Sequence, residues 1–292
     1  SYFREGAWSA FRGHPRTVCA HEGRVVYGGT ASQPSTVWAS AVDDFENFRP
    51  GTADADSWTH ALASDQQNSI QWMVSQKSLL IGTSGDEWVL AASGQEEIIS
   101  PTNVRARRHS GNGSEFLKAR VVNDAVLFVQ RGGKKLRDMT FSFESDGYVS
   151  NDLTLLAEHV TGEGIIDTAW QAQPYGTLWC VTADGELLGL TYDRQQQISG
   201  WSRHTTGNAT DGFESVAVRS TNGESDQVWV VVRRRIDGTD RRYIERMNDD
   251  GFFLEEPWSE LFASADGVVD AINAQVGETV ESKDLLVKLR AV

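Results

Sequence analysis

The feature that most constrains this chain is a module repeated five times. It consists of an apolar β-rich strand, a polar or glycine-containing turn, and a second strand in which apolar and polar residues alternate. The first strands read Val25-Val26-Tyr27, Leu79-Leu80-Ile81, Val126-Leu127-Phe128-Val129, Leu178-Trp179-Cys180-Val181 and Val228-Trp229-Val230-Val231-Val232. Their starts at 25, 79, 126, 178 and 228 are separated by 54, 47, 52 and 50 residues. The partners are Thr36-Val37-Trp38-Ala39-Ser40, Glu87-Trp88-Val89-Leu90, Lys135-Leu136-Arg137-Asp138-Met139, Glu186-Leu187-Leu188-Gly189-Leu190 and Arg242-Tyr243-Ile244-Glu245-Arg246. Between them, Asp184-Gly185 and Gly132-Gly133 offer the left-handed backbone that tight hairpins need, and Gly238 does so in a longer loop. Upstream segments at 69–74, 165–170 and 214–218 supply a third strand, so each unit is expected to be a small antiparallel meander.

A period near 50 with three or four short strands per unit is that of a β-propeller blade. The expected fold is therefore all-β, a propeller with five visible blades, and a sixth if the N-terminal segment pairs with the C-terminal strands. Two β-sandwiches would show turns every 8 to 12 residues or so, but give no reason for the longer period. Propeller sheets pack face to face, so Trp38, Trp88, Trp179 and Trp229 are expected to be buried. Helical spacing occurs once, over Asp152–Val160, where Asn151 or Asp152 would cap and Gly162 would stop a helix linking blades three and four. The expected domains are a propeller over 1–250 and a C-terminal β segment over 251–292.

Composition removes several functional classes. No apolar run approaches the roughly 18 residues needed to span a bilayer as a helix, so no membrane insertion is expected. With 27 Lys+Arg against 41 Asp+Glu the net charge is −14, the wrong sign for gripping phosphates in general. Cys19 and Cys180 are too few for a disulfide scaffold and fit buried thiols in a reducing compartment. Ser1-Tyr2-Phe3-Arg4 lacks the basic start and apolar core of a secretory signal, and the chain is expected to begin partway along a longer one.

Catalytic motifs are missing. There is no phosphate loop, dinucleotide fingerprint, His-Glu-x-x-His or Gly-x-Ser-x-Gly. Gln130-Arg131-Gly132-Gly133-Lys134-Lys135 has the composition of a phosphate loop but joins two strands, as a hairpin turn would. The six histidines (14, 21, 60, 109, 159 and 204) form no pair at metal-ligand spacing. Asp54-Ala55-Asp56 starts like a calcium loop but lacks its third acid and glycine, and reads as a solvated acidic loop. The Ser-x-Asp-x-Gly-x-Thr-Trp box of sialidase propellers is absent. No catalytic residue, metal or cofactor is expected. Two basic clusters, Arg105, Arg107 and Arg108 with His109, and Arg233, Arg234 and Arg235 with Arg241 and Arg242, are expected to form salt bridges with neighbouring blades or subunits.

Several phrases resemble a known family. Phe3-Arg4-Glu5-Gly6-Ala7-Trp8-Ser9, Gly13-His14-Pro15-Arg16-Thr17-Val18, His21-Glu22-Gly23-Arg24-Val25-Val26-Tyr27-Gly28-Gly29-Thr30 and Asp44-Phe45-Glu46-Asn47-Phe48 are similar to the propeller of podovirus tail nozzle proteins, the tail tubular protein B class. Leu62-Ala63-Ser64-Asp65-Gln66, Ser100-Pro101-Thr102-Asn103-Val104, Phe128-Val129-Gln130-Arg131-Gly132-Gly133, Leu190-Thr191-Tyr192-Asp193-Arg194 and Tyr243-Ile244-Glu245-Arg246 continue the resemblance in order over roughly 1–250. It implies a non-enzymatic structural virion protein of the phage tail, assembled in the host cytoplasm. A homo-oligomeric ring, a hexamer in that family, would sit below the tail adaptor protein, contact tail fibres, and form the distal channel for DNA in transit during ejection. In such a propeller Gly28-Gly29 and Gly132-Gly133 would supply turns, Trp38 and Trp88 would pack between blades, and Pro101 would shape the crossing out of blade two. The family's members are usually longer than this chain.

The segment 265–289, with Ala265-Asp266-Gly267-Val268-Val269-Asp270-Ala271-Ile272 and Val276-Gly277-Glu278-Thr279-Val280, resembles the second half of a biotinyl or lipoyl carrier domain. That family's Met-Lys-Met hairpin does not occur here, so no cofactor arm is expected. The competing functional reading, from the tryptophan and carboxylate content, is a carbohydrate-binding or glycoside-cleaving β-propeller. Carboxylate separations, on which a glycosidase assignment depends, are not legible in sequence.

Overall fold

The computed structural model describes residues 6–94, 97–221 and 225–247, together with the backbone of two later strands. Two compact units are present, Ser1–Met247 and Asn248–Val292. The first is all-β. Among its described residues nineteen strands form five consecutive antiparallel meanders. Blade one holds β1 (Thr17–His21), β2 (Arg24–Gly28), β3 (Thr36–Ala39) and β4 (Trp58–Ala61); blade two holds β5 (Ile70–Ser75), β6 (Leu79–Thr83), β7 (Glu87–Ala91) and β8 (Arg105–Ser110). Blade three holds β9 (Arg120–Val122), β10 (Ala125–Val129), β11 (Leu136–Ser142) and β12 (Gly147–Asp152). Blade four holds β13 (Ile165–Gln171), β14 (Thr177–Thr182), β15 (Leu187–Asp193) and β16 (Ile198–His204); blade five holds β17 (Gly212–Arg219), β18 (Gln227–Ile236) and β19 (Thr239–Arg246). In the second unit β20 (Gly267–Ile272) pairs antiparallel with β21 (Val287–Ala291).

The strand pairs legible in the sequence are the second and third strands of each blade. β3, β6, β10 and β14 are buried at every position. β6, β10 and β14 are covered on both faces by neighbouring sheets, and β3 by blade two on one face and Trp8 on the other, which is why they read as continuous apolar runs. Four successive cores fill the gaps between blades. Val26, Val37 and Trp58 meet Met73, Leu79, Ile81 and Trp88; Trp72, Leu80 and Val89 meet Val126, Phe128 and Met139. Leu127, Val129 and Leu136 meet Leu178, Cys180, Leu188 and Leu190; Trp179, Val181 and Leu187 meet Val216, Val228, Val230 and Val232.

A backbone stitch recurs at each junction. The turn between the second and third strands of one blade accepts a hydrogen bond from the segment entering the next: Pro34 O from Ile70 N (2.9 Å), Thr83 O from Ser114 N (2.8 Å), Gly133 O from Ile165 N (2.8 Å) and Gly185 O from Phe213 N (2.8 Å). Turn geometry accounts for Gly132 and Gly133, at φ +94° and +77° with room for a Cβ, and at Gly185 the close approach adds to it. Gly185 has φ +90°, and a Cβ there would lie 2.9 Å from the Cα of Gly212. The meanders, the cores between them and the repeated stitches make the fold a β-propeller of short antiparallel sheets.

Four expectations are corrected. The helix expected over 152–160 does not form: Asp152 ends β12 and turns follow, Leu153 N extends the ladder to Leu136 O, and the Asp152 carboxylate captures both the N–H and the hydroxyl of Thr154. Leu155 and Leu156, which a packed helix would cover, are exposed. Pro101 lies in the connection from β7 to β8 within blade two, not in a crossing between blades. Trp38 is buried on the face of blade one opposite the inter-blade core, beneath Trp8 (ring centroids 5.9 Å). Trp229 is half-buried because alternation sends Val228, Val230 and Val232 inward and leaves it on the other face; Trp88 and Trp179 are buried as expected.

Candidate functional site

The polar residues of the propeller fall into three groups: buried clasps, a self-paired ionic network, and a groove between blades one and two. The first clasp centres on Arg24, whose side chain is almost fully buried. β2 carries it through the sheet, where Nη1 donates to Ser40 O (2.6 Å) and Asp56 O (2.7 Å), and Nη2 to Asp54 O (2.5 Å). The Asp54–Asp56 loop is therefore not simply solvated. Its carbonyls close around a guanidinium of this same chain. Sequence gave no sign of this, since a single Arg between Gly23 and Val25 looks like any strand-end cation.

The second clasp is the acid pair Asp86-Glu87 at the turn into β7. Glu87 is fully buried and accepts from Ser110 Oγ (2.5 Å), Ser114 Oγ (3.0 Å) and the Asn112 N–H (3.3 Å). Burial raises its proton affinity above the ordinary carboxylate value, and the two hydroxyls oppose that shift. Asp86 accepts from Asn68 Nδ2 (2.8 Å), Ser64 Oγ (3.1 Å) and Arg108 Nη1 (3.3 Å). Both carboxylates are thus occupied by donors of their own chain. Together they tie the β6–β7 turn to β8 and to the segment that leads into β9.

Arg233, Arg234, Arg235 and Arg242 of blade five are matched by nearby acids. Arg234 forms a two-bond fork with Glu245 (2.6 Å each) and reaches Asp211 (3.3 Å). Arg233 and Arg235 meet Asp240 at 3.4 and 3.2 Å, and Arg242 meets Glu214 at 2.6 Å. Neighbouring blades or subunits are the expected partners of Arg233–Arg235; within the described residues of this chain no neighbouring blade supplies them. Their partners sit on β17, β19 and the loop before β17; antiparallel pairing brings Arg235 opposite Asp240, and Arg233 reaches the same Asp240 diagonally and Glu214 on β17. The other cluster splits. Arg108 pairs with Asp86, whereas Arg105 and Arg107 are exposed.

A groove of about 390 Å³ opens between β4 and the β7–β8 pair, lined by His60, Ala63, Trp88, Arg105, Ala106 and Arg107. Burial lowers the proton affinity of His60, leaving it a neutral imidazole near pH 7. Among the described residues no three His, Cys, Asp or Glu side chains gather as a metal site, so none of the histidines at 14, 21, 60, 109, 159 and 204 belongs to such a group. Both thiols are unpaired, and burial pushes Cys19 up to about 12, and Cys180 higher, so neither is an activated nucleophile.

The first strand of each blade packs against the first strand of a neighbour, as β1 does with β5 and β13 with both β9 and β17. The exposed positions on these strands are mostly small or aliphatic: Val18, Ala20, Val121, Ile166 and Ala217, with Ser75 and Arg219. No helix among the described residues is long and apolar enough to cross a membrane.

No family model matches the chain, and no curated protein matches it. Among solved structures it is similar to a luciferin-regenerating enzyme at 8% identity and a TM-score of 0.30, over 72% of this chain and 80% of that one. A likeness at that level transfers neither substrate nor chemistry.

Proposed function

We propose that the chain is a non-catalytic structural subunit of a short-tailed phage tail, a nozzle or tail-tube component. In this reading copies form a ring around the conduit through which DNA leaves the virion, below an adaptor and beside tail fibres. The observation that carries the reading beyond the sequence resemblance is where the charge lies. The densest arginine run of an acidic chain is neutralised inside blade five, and the strands nearest one another at the blade junctions expose mainly uncharged residues. Such a surface offers duplex DNA few phosphate contacts, so DNA slides instead of sticking.

Electron microscopy of purified particles tests the assembly: a six-fold ring with an open channel is expected. Duplex binding measured against salt tests the sliding surface. Each phosphate contact adds about 0.9 to the log–log slope, so a shallow dependence is expected. Tight, steep binding lost on Arg233→Ser, Arg234→Ser and Arg235→Ser would instead make the protein a DNA clamp. Binding or hydrolysis across a glycan panel would favour the carbohydrate-directed alternative.

A further inference from the structure

A strip of aromatic and cationic side chains crosses the outer strands of blades two and three. Phe143, in the β11–β12 turn, is 92% exposed. Its ring stands edge-on to Phe141 at 5.2 Å, Phe141 to Tyr148 at 5.6 Å, and Tyr148 to His109 of β8 at 5.5 Å. Four rings thus form one chain across two sheets. Arg105 and Arg107 extend it: they share one face of β8 with each other, are exposed, and have no acidic partner among the described residues. Every arginine of the β18 run is neutralised by comparison.

Exposed phenylalanine gains nothing from water, and aromatics with arginine are the side chains that dominate protein interfaces. The two unmatched guanidiniums call for carboxylates. The same chain displays them in the β3–β4 connection, where Asp44, Phe45 and Glu46 are all exposed and neither acid has a cationic partner among the described residues. An acid–Phe–acid loop complements an arginine–aromatic strip in both charge and apolar character. Two different patches that meet once per junction make a head-to-tail contact, the kind that closes into rings or runs on into filaments.

We propose that the Arg105, Arg107, Tyr148, Phe141 and Phe143 strip is the docking surface for the Asp44–Glu46 loop of a second copy of this chain. The proposal rests on the assembly reading above and names the contact that reading leaves open.

Sedimentation velocity on the 292-residue chain over a concentration series, at low and high salt, tests it. The parent is expected to associate, less so at high salt. Association should weaken about tenfold or more in R105E/R107E, in F143S and in D44R/E46R, with unfolding temperatures unchanged because every altered side chain is exposed. Mixing R105E/R107E with D44R/E46R should restore association at the charge-reversed junction. If the parent assembles and all three variants assemble equally well, the docking surface is wrong while the assembly reading stands. A parent that stays monomeric overturns both. If R105E/R107E loses binding to an acidic polysaccharide but keeps self-association, the strip belongs to that ligand and the proposal fails.

Discussion

Replacing Arg24 by Met keeps most of the aliphatic volume of the side chain and removes its donors. Three carbonyl groups, of Ser40, Asp54 and Asp56, then lose charged hydrogen bonds of 2.5–2.7 Å. Hydrogen bonds involving a charged group are worth about 1.5–3 kcal/mol each, and relief of the buried guanidinium's own desolvation offsets part of that sum. A net loss of about 3–5 kcal/mol is expected, a large share of the roughly 5–15 kcal/mol that holds a typical domain together. At about 2–4 °C per kcal/mol for a unit of this size, Tm should fall by about 6–20 °C. Urea unfolding gives the free energy, and limited proteolysis within residues 41–57 reports whether the loop has come loose. Lys cannot span three carbonyls at once, so Arg24→Lys should recover less than half the loss. A loss below about 1 kcal/mol with the loop equally protected would show that the guanidinium does not hold the loop.

Three further outcomes follow from buried groups and close approaches. Gly185→Ala should cost about 1–3 kcal/mol, because it combines φ +90° with a clash against Gly212, whereas Gly200→Ala, with open space around it, should stay within about 0.5 kcal/mol in the same unfolding assay. Trp88→Ala and Trp179→Ala should each cost about 3–5 kcal/mol and half-buried Trp229→Ala less than about 2; equal losses across the three would contradict the inward alternation of β18. For pH, burial raises Glu87 above its ordinary 4.5, so the native state binds the extra proton first and the parent should gain stability relative to Glu87→Gln as pH falls from 7 toward 4.5. His21 runs the other way: burial lowers it below 6.5, so the parent should lose stability relative to His21→Gln as pH drops through 6.5, and parallel pH profiles for parent and variants would refute both assignments.

What sequence could and could not reveal divides by strand position. The central strands β3, β6, β10 and β14 are buried throughout and read as apolar runs; the fourth strands are not. β8 reads Arg-Ala-Arg-Arg-His-Ser and β16 Ile-Ser-Gly-Trp-Ser-Arg-His, with little apolar content, so β8 looked like a basic cluster. Missing β8 also misplaced Pro101, which seemed to leave a blade that still had a strand to add. The Asp152–Val160 stretch failed differently. Its Leu153, Leu155 and Leu156 have helical spacing, but Asp152 is committed to Lys135 (2.8 Å) and Thr154, and that local satisfaction competes with a helix start.

The cations carry the same lesson for function, because clustering along the chain turned out to say little about availability. Arg233, Arg234, Arg235, Arg241 and Arg242 form the most conspicuous cluster, yet acids of blade five and of the loop before it meet every member but Arg241. Isolated Arg24 and Arg120 instead do structural service: the first gathers the loop carbonyls, and the second bridges from β9 to the Thr168 backbone carbonyl on β13, across a blade junction. Arg105 and Arg107 were indistinguishable from Arg108 in the sequence and differ from it by one strand face, which denies them Asp86. Partnership is set by register, and register by the turns on either side. Which cations the sheets leave unmatched follows from register and not from clustering: Arg105 and Arg107 on β8 and Arg241 on β19 are exposed without an acidic partner among the described residues, and only on β8 do the unmatched arginines adjoin an exposed chain of rings.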